Sequence, residues 1–594
     1  MIRYQVRPLH PGTHLFQVHL RVARPEPGGQ SLSLPAWIPG SYKIRDYARH
    51  VVRLEARSSD GPLHPVKQDK QTWRLPACSG PLEIEYVVYA WDLSVRGAHC
   101  DQRHAYFNGP ALLLRPHGRD HLPCTIEIQR PAQPAARDWQ VATSLAPEAV
   151  DGDGFGRYRA EDYADLIDHP VEMGRLDRVR FAVRGVPHFI TVNGRHHGDL
   201  DRLARDLAAI CEAEADLFGE LPLDRYGFLI QVTGEDYGGL EHRDSCSLIC
   251  ARHELPRPGL EAPDEAYRRL LGLCAHEYFH LWHVKRIRPL AFQRGGLEAE
   301  VHTRLLWVFE GITSYYDDLM LVRSGRITAR AYLDLLAHTL TRVWRGSGRF
   351  KQSLAESGFD AWTRFYQQDE NAPNAIVSYY AKGALVALAL DLHLRLRAGT
   401  DLDRIMRTLW ERHGRTGEGL PEEGFERLTA EVAGIDLSDF FAHYVHGTAD
   451  PPLEELLAAF GVALHLRPRK DAKDQGGAVD AFAPAEVPPW LGLDHDGASP
   501  PRVTRVYDGG PAQSAGIAPG DRLLALDGVE IRAAMLPEML QAIPGPRRLH
   551  LFRGDELLEL EVTPAEPPAD TCELRLEEGD PAACARRREW LRES

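Results

Sequence analysis

Residues 274–290 read Cys-Ala-His-Glu-Tyr-Phe-His-Leu-Trp-His-Val-Lys-Arg-Ile-Arg-Pro-Leu. Within them His276, Glu277 and His280 form the pattern H-E-x-x-H. Positions four apart share one face of a helix, so the two imidazoles point the same way and can hold one zinc ion. Glu277, one residue past the first imidazole, is then placed to take a proton from a water that the ion activates. This chemistry requires a helix, and the flanking residues predict one. Pro263-Asp264-Glu265 reads as a helix start, with proline in the first turn and acids at the positive end of the dipole. Leu270, Leu271, Leu273 and Cys274 supply apolar positions at helical spacing, and no proline intervenes before Pro289. The alternative is a buried helix whose histidines only pack.

The 594 residues are enough for about four domains. A net charge of −15 without a basic block argues against a nucleic-acid partner. The start Met-Ile-Arg-Tyr-Gln-Val-Arg-Pro has no apolar core of signal-peptide length, and no apolar stretch is long enough to span a bilayer. Nine cysteines without repeated spacing suggest reduced thiols and a cytoplasmic protein. Cys246 and Cys250 are four apart but have no second pair, so they read as small buried residues.

Residues 1–185 read as a β-rich domain. Phe16, Val18, Leu20 and Val22 alternate with polar residues. Short β-prone runs separated by Pro- and Gly-rich turns predict an antiparallel sandwich. Trp37-Ile-Pro-Gly-Ser-Tyr42 is either a functional loop or a turn packed by its aromatics. Residues 186–325 change pattern: strands at 188–192 and 226–232, and a helix at 200–218 with Leu203, Leu207, Ile210 and Leu217 on one face. Next comes Tyr237-Gly-Gly-Leu-Glu-His242. Gly238 and Gly239 allow another backbone to approach, so an extended peptide could lie here and meet Glu241 at its end; a loop with a solvated acid is the alternative.

A third zinc ligand is needed. Glu310 lies among Trp307, Val308, Phe309 and Ile312, where a buried carboxylate needs a cation or donors. Glu298 and Glu300 are its rivals, but their Gly-Gly-Leu-Glu-Ala-Glu setting looks exposed, which favours Glu310. Residues 326–465 are mostly helical. Tyr379 or Tyr380, at the start of an apolar helix, could donate a hydrogen bond to an oxyanion; a structural tyrosine is the alternative. Residues 466–487 read as a linker, 488–565 as a small domain and 566–594 as a charged tail ending in a short helix near Pro581–Leu591. The linker predicts that a chain ending near residue 465 keeps the peptidase.

Together H-E-Y-F-H-x-W with K-R-I-R-P, W-V-F-E-G-I-T-S-Y-Y, Y-G-G-L-E-H, Y-Y-A-K-G and the early L-P-A-W-I-P-G-S-Y resemble the glycyl aminopeptidase family. The resemblance spans nearly the whole chain. It implies a multidomain α+β protein: a β-sandwich-like N-terminal domain, a thermolysin-like zinc peptidase domain with a helical continuation, and a C-terminal PDZ domain. It implies one zinc per chain on His276, His280 and Glu310, with Glu277 as general base. It also implies Glu241 as the anchor for a free α-amine, Tyr380 as the transition-state tyrosine and Asp317 as an acid behind a ligand histidine. The expected activity is removal of N-terminal residues, small ones such as glycine or alanine. The Trp490-Leu491-Gly492-Leu493 loop of the PDZ domain would receive a peptide or protein C-terminus. The family usually has asparagine at the position of His283.

Overall fold

The computed structural model describes residues 2–483 and 489–592. The chain forms two compact units, Met1–Val301 with Met406–Pro421, and His302–Ile405 with Glu422–Ser594. Their boundary falls between His280 and Glu310, so the stretch read as one catalytic domain contributes to both units.

The first unit begins with an eight-stranded sheet. Its strands are β1 (Ile2–His10), β2 (Leu15–Val22), β3 (Val51–Ser58), β4 (Gly61–Leu63), β5 (Leu82–Tyr89), β6 (Cys124–Ile128), β7 (Ala146–Val150) and β8 (Gly156–Ala160). The spatial order is β7-β8-β6-β1-β2-β5-β3-β4. The alternation of β2 is real: Phe16, Val18, Leu20 and Val22 are all buried. One pair departs from the antiparallel expectation, since β1 runs parallel to β6 with Ile2 opposite Cys124. A parallel pair needs a long crossover, and the chain between them supplies it while building one four-stranded sheet and two strands of another, which residues after β6 complete. Residues of all three sheets, among them Phe16, Trp73 and Phe107, share one core.

A second large sheet of this unit contains β9 (Leu176–Val183), β10 (Val186–Asn193), β11 (Tyr226–Thr233), β12 (Gly238–Glu241) and β13 (Ser245–Ala251), in the order β9-β10-β11-β13-β12. It starts at 176, before the change of pattern read at 186, because β9 is half-exposed like a sandwich strand. β10, β11 and β13 are parallel, and every residue of β13 is buried. β12 is an antiparallel edge, as β9 is on the other side, so Gly-Gly-Leu-Glu is itself a strand.

Helix α1 (Leu200–Phe218) starts at the Asp199 cap and stops at Gly219, whose φ of 83° only glycine adopts readily. Helix α2 (Glu265–Phe279) carries His276 and Glu277, ends with His280 as its C-cap, and starts at Asp264, which accepts from the Tyr267 N–H. It ends ten residues before Pro289. A tight loop follows, closed by Lys285 N to His280 O and Ile287 N to Trp282 O, with Val284 at φ 112°.

In the second unit, Trp307–Gly311 forms a π-turn that leads into α3 (Ile312–Arg323). Helices α4 (Ala329–Trp344) and α5 (Ala381–Arg397) follow. Of the stretches read as linker and tail, residues 466–483 and 566–592 are built into the fold, and 484–487 and 593–594 lie outside the described residues. Strands β14 (Val462–Pro468), β15 (Gly477–Ala478) and, from the tail, β22 (Ala569–Leu576) make a three-stranded sheet; six PDZ strands take the numbers between. This sheet is tied to α4 by Cys572 N to Thr341 Oγ1 (2.9 Å) and Ala478 N to Asp334 Oδ1 (2.8 Å). The PDZ strands are β16 (Leu493–His495), β17 (Val503–Val506), β18 (Arg522–Leu526), β19 (Val529–Glu530), β20 (Arg547–Arg553) and β21 (Glu556–Val562), with helix α6 (Leu536–Ala542). Trp490 and Ala565 exchange both backbone hydrogen bonds, so the domain expected to be PDZ is an insertion whose two ends pair. Helix α7 (Pro581–Leu591) closes the chain, its Trp590 Nε1 donating to the Tyr315 hydroxyl at 2.9 Å. No described helix is long and apolar enough to cross a membrane, and all nine cysteines are free.

Candidate active site

In the first unit, the i, i+4 spacing on α2 brings the Nε2 atoms of His276 and His280 to 3.1 Å, with their rings nearly perpendicular at 88°. His280 Nδ1 lies 2.7 Å from the His283 carbonyl oxygen. That carbonyl can only accept, so Nδ1 carries the proton and Nε2 presents a lone pair. The backbone of residue 283 does this work, so histidine in place of asparagine there leaves the orientation of His280 intact.

Edge strand β12 delivers Glu241 to the same place. An oxygen of Glu241, an oxygen of Glu277 and a ring nitrogen of His280 all lie within 4.8 Å of one another. All three residues are buried. Glu241 Oε1 has no hydrogen-bond partner among the described residues. Beside Glu241 opens a cavity of about 1360 Å³, bordered by Trp37, Pro39, Gly40, Arg243 and Lys285.

The glycines around these acids also leave room for neighbouring side chains. A Cβ on Gly239 would overlap Glu277 Oε1, so the space beside this glycine is filled by the carboxylate of the proposed base. Gly238 faces Arg96, whose Nη2 donates to the Gly239 carbonyl at 2.8 Å. The Trp37–Tyr42 segment is a turn closed between Ile38 and Ser41, and Gly40, at φ 92°, presses against Glu241.

Beneath Glu241 lies a polar hub. Asp168 Oδ1 accepts from Lys285 Nζ at 2.7 Å and lies 3.3 Å from His242 Nδ1, and Asp168 Oδ2 accepts from the Arg243 N–H at 3.0 Å. Burial pushes the Asp168 carboxyl up, but the Lys285 ammonium and His242 hold it well below the usual carboxylate range. Burial also keeps the His242 imidazole below its ordinary value, against the pull of Asp168. Asp168 thus ties the residue after Glu241 to the loop that follows the two histidines.

In the second unit, Glu310 sits on the π-turn and is 2% exposed. Its rivals, both in the first unit, differ. Glu298 pairs with Arg115, and Glu300 is exposed. A Cβ on Gly311 would lie 2.6 Å from Gly383 Cα and 2.8 Å from the Tyr379 carbonyl, so two glycines let the π-turn and the start of α5 touch. Tyr379 is fully buried, whereas Tyr380 is half-buried with its hydroxyl 3.4 Å from that of Tyr366. Asp317 Oδ1 accepts from the Asp318 N–H at 2.6 Å.

The profile of the M61 peptidase N-terminal domain matches residues 3–175, and that of the M61 glycyl aminopeptidase matches residues 269–386. A PDZ profile matches 502–551. A solved structure described as an aminopeptidase N family protein from Idiomarina loihiensis is 40% identical, covers 100% of both chains and has a TM-score of 0.94. The chain belongs to the M61 glycyl aminopeptidase family. Aminopeptidase N of Caulobacter vibrioides is 26% identical over 296 residues, which is 46% of this chain and 30% of that protein. The chain therefore matches under a third of that relative's length.

Within this family of peptidases, Arg96, Asp168, Gly40 and the Gly311–Gly383 contact were missed by reading the sequence. Only the Trp-Ile-Pro-Gly-Ser-Tyr segment left a signal, as a loop with an open role. Gly311 and Gly383 lie inside segments already singled out for their neighbours Glu310 and Tyr380.

Proposed function

We propose that the protein is a zinc-dependent aminopeptidase that removes N-terminal residues from peptides. The observation that carries this reading is the meeting of Glu241, Glu277 and His280 within 4.8 Å. In this reading the amine anchor, the base and a metal-ligating nitrogen stand one residue's reach apart.

His276 and His280 fit a zinc ion. Two ligands of a tetrahedral zinc at 2.0–2.1 Å stand about 3.3 Å apart, close to their 3.1 Å. Glu310 would complete the set; its burial among apolar residues and the engagement or exposure of its rivals support the choice. When bound, the zinc supplies Lewis acidity that lowers the pKa of water and polarises a carbonyl.

The chain's own groups do the rest. Glu241 holds the substrate ammonium and fixes the first peptide carbonyl one residue along. Glu277 takes the proton of the attacking water and passes it to the leaving amine. Tyr380 donates its hydroxyl hydrogen to the developing oxyanion; its half-exposed position, against the buried Tyr379, supports it over its neighbour. Asp317 would steady a ligand histidine. Membership of a family described as glycyl aminopeptidases supports a small first residue such as glycine or alanine.

A panel of aminoacyl substrates and acetylated counterparts, with and without a chelator, tests the reading. Free amines should be cleaved, acetylated ones not, and the chelator should stop turnover. Glu241→Ala should retain zinc and lose roughly a hundredfold in activity on free amines. Equal cleavage of acetylated peptides would make the protein an endopeptidase instead.

A further inference from the structure

The Trp490-Leu491-Gly492-Leu493 turn has its carbonyls tied inward. Leu491 O accepts from Ala512 N at 2.6 Å, and Gly492 O accepts from Tyr507 N at 2.9 Å. The N–H groups of Leu491 and Gly492 have no acceptor among the described residues. Gly492 stands at φ 80°, and these two successive amides can donate to an anion.

Trp490, Leu491 and Leu493 line a cavity of about 900 Å³, with Leu536 and Leu540 of α6 as an apolar floor. The opposite wall is not PDZ. It is made by Arg342 and Arg345 at the end of α4 and by Ile376, Ser378 and Ala381 of the segment that carries Tyr380. Six lysine and arginine side chains line the cavity against two carboxylates. The two walls are locked together. Asn374 Nδ2 donates to Val506 O at 2.8 Å, Asp508 N donates to Asn374 Oδ1 at 3.0 Å, and Ser347 Oγ donates to Asp508 Oδ2 at 3.0 Å.

We propose that this cavity is a composite site for the carboxyl terminus of a separate peptide, its carboxylate on the Leu491–Gly492 amides and its opposite wall formed by the peptidase's own helices. The cationic lining suits a carboxylate, and the leucine floor suits an apolar last side chain. The chain's own C-terminal helix is committed elsewhere, through Trp590 to Tyr315 and Arg592 to Asp403. The PDZ domain here is therefore half of a site, and peptide recognition depends on residues outside it.

The test is fluorescence anisotropy on the full-length, zinc-loaded protein. The probe is a hexapeptide pool, degenerate at five positions, ending in leucine and blocked at its N-terminus by the fluorophore, so that it is not an aminopeptidase substrate. The free-acid pool should bind, and the C-amidated pool should bind at least about tenfold more weakly. Arg342→Glu, an exposed substitution outside the PDZ domain, should weaken the free-acid pool roughly fivefold or more, and Arg342→Lys should restore most of it. Lys470→Glu, an exposed cavity-lining position likewise outside the PDZ domain, is a second variant with the same expectation should Arg342→Glu not fold. Equal binding of acid and amide overturns the carboxylate site. Full binding by a folded Arg342→Glu makes the PDZ domain an independent module and overturns the composite site. Absence of binding by the blocked pool, with a preference for free acids only among cleaved peptides, assigns the cavity to the substrate's own C-terminus and equally overturns the proposal.

Discussion

Gly40 and Glu241 are packed so tightly that a side chain on Gly40 would overlap both carboxylate oxygens of Glu241. The two residues are 201 positions apart and come from different parts of the first unit, a turn of the β-rich region and the edge strand of the peptidase sheet. The turn is held by its own packing: Ile38 shares a small core with Val95, Leu240 and Ile249, and Tyr42 stacks on Phe292 at 5.4 Å.

Gly40→Ala is expected to damage the anchor. Alanine is strained at φ 92° and its methyl displaces the Glu241 carboxylate. Activity on free-amine substrates should fall about tenfold or more, with zinc content unchanged. Wild-type kcat/KM in a folded variant would show that the turn plays no part in placing Glu241.

Gly239→Ala should mimic loss of the base, because its methyl occupies the space of Glu277 Oε1. Glu277→Gln should keep zinc and fold yet lose roughly a thousandfold in kcat. Gly239→Ala should lose kcat in the same direction without a comparable rise in KM. Steady-state kinetics on an alanyl anilide reads both; a pure KM effect in Gly239→Ala would assign that glycine to substrate approach instead.

Metal content separates the carboxylates. Glu310→Gln should lower the zinc retained after dialysis, whereas Glu300→Gln should not, given the exposure of Glu300. Elemental analysis of the purified variants decides the point, and the reverse result would exchange the ligand assignment.

His188 gives the stability a specific acid dependence. Buried, with Nε2 2.9 Å from the Tyr278 hydroxyl, its imidazole is pushed down from 6.5 to about 4. The folded state resists a proton that the unfolded chain takes up. The stability is therefore fully present above the unfolded value and is lost as pH falls from 6.5 towards 4, by up to roughly 3 kcal/mol. His188→Gln should flatten the fall of the melting temperature between pH 7.5 and pH 5. An unchanged fall would assign it to other groups.

The PDZ domain should be removable only as an insertion. A chain ending near 465 cuts β14 and discards β22 and α7, whose Cys572, Leu574 and Trp590 are fully buried. It should aggregate, contrary to the expectation drawn from the apparent linker. Joining residues 489 and 566 by a short turn, where Trp490 and Ala565 already pair, should keep fold and zinc. Solubility and metal content of the two chains check this; a soluble, zinc-binding 1–465 chain would contradict it.

What could be read from the sequence was carried by short-range pattern. The spacing of His276 and His280, the acids at the start of α2 and the apolar faces of α1 and β2 all act between residues a few positions apart, where helix and strand geometry is fixed by local sterics. The split of the peptidase between two units was not legible, because the first unit also takes in residues 406–421, more than a hundred positions beyond Val301. Nor was the wiring of PDZ, linker and tail, because β22 returns to β14 across more than a hundred residues. Tertiary structure alone decided what each glycine is for. Gly40 leaves room for Glu241, Gly239 for Glu277, and Gly311 for the backbone before α5. A missing side chain has no signature of its own; its meaning is the identity of the atom that fills the space, and that atom is chosen by packing between distant segments.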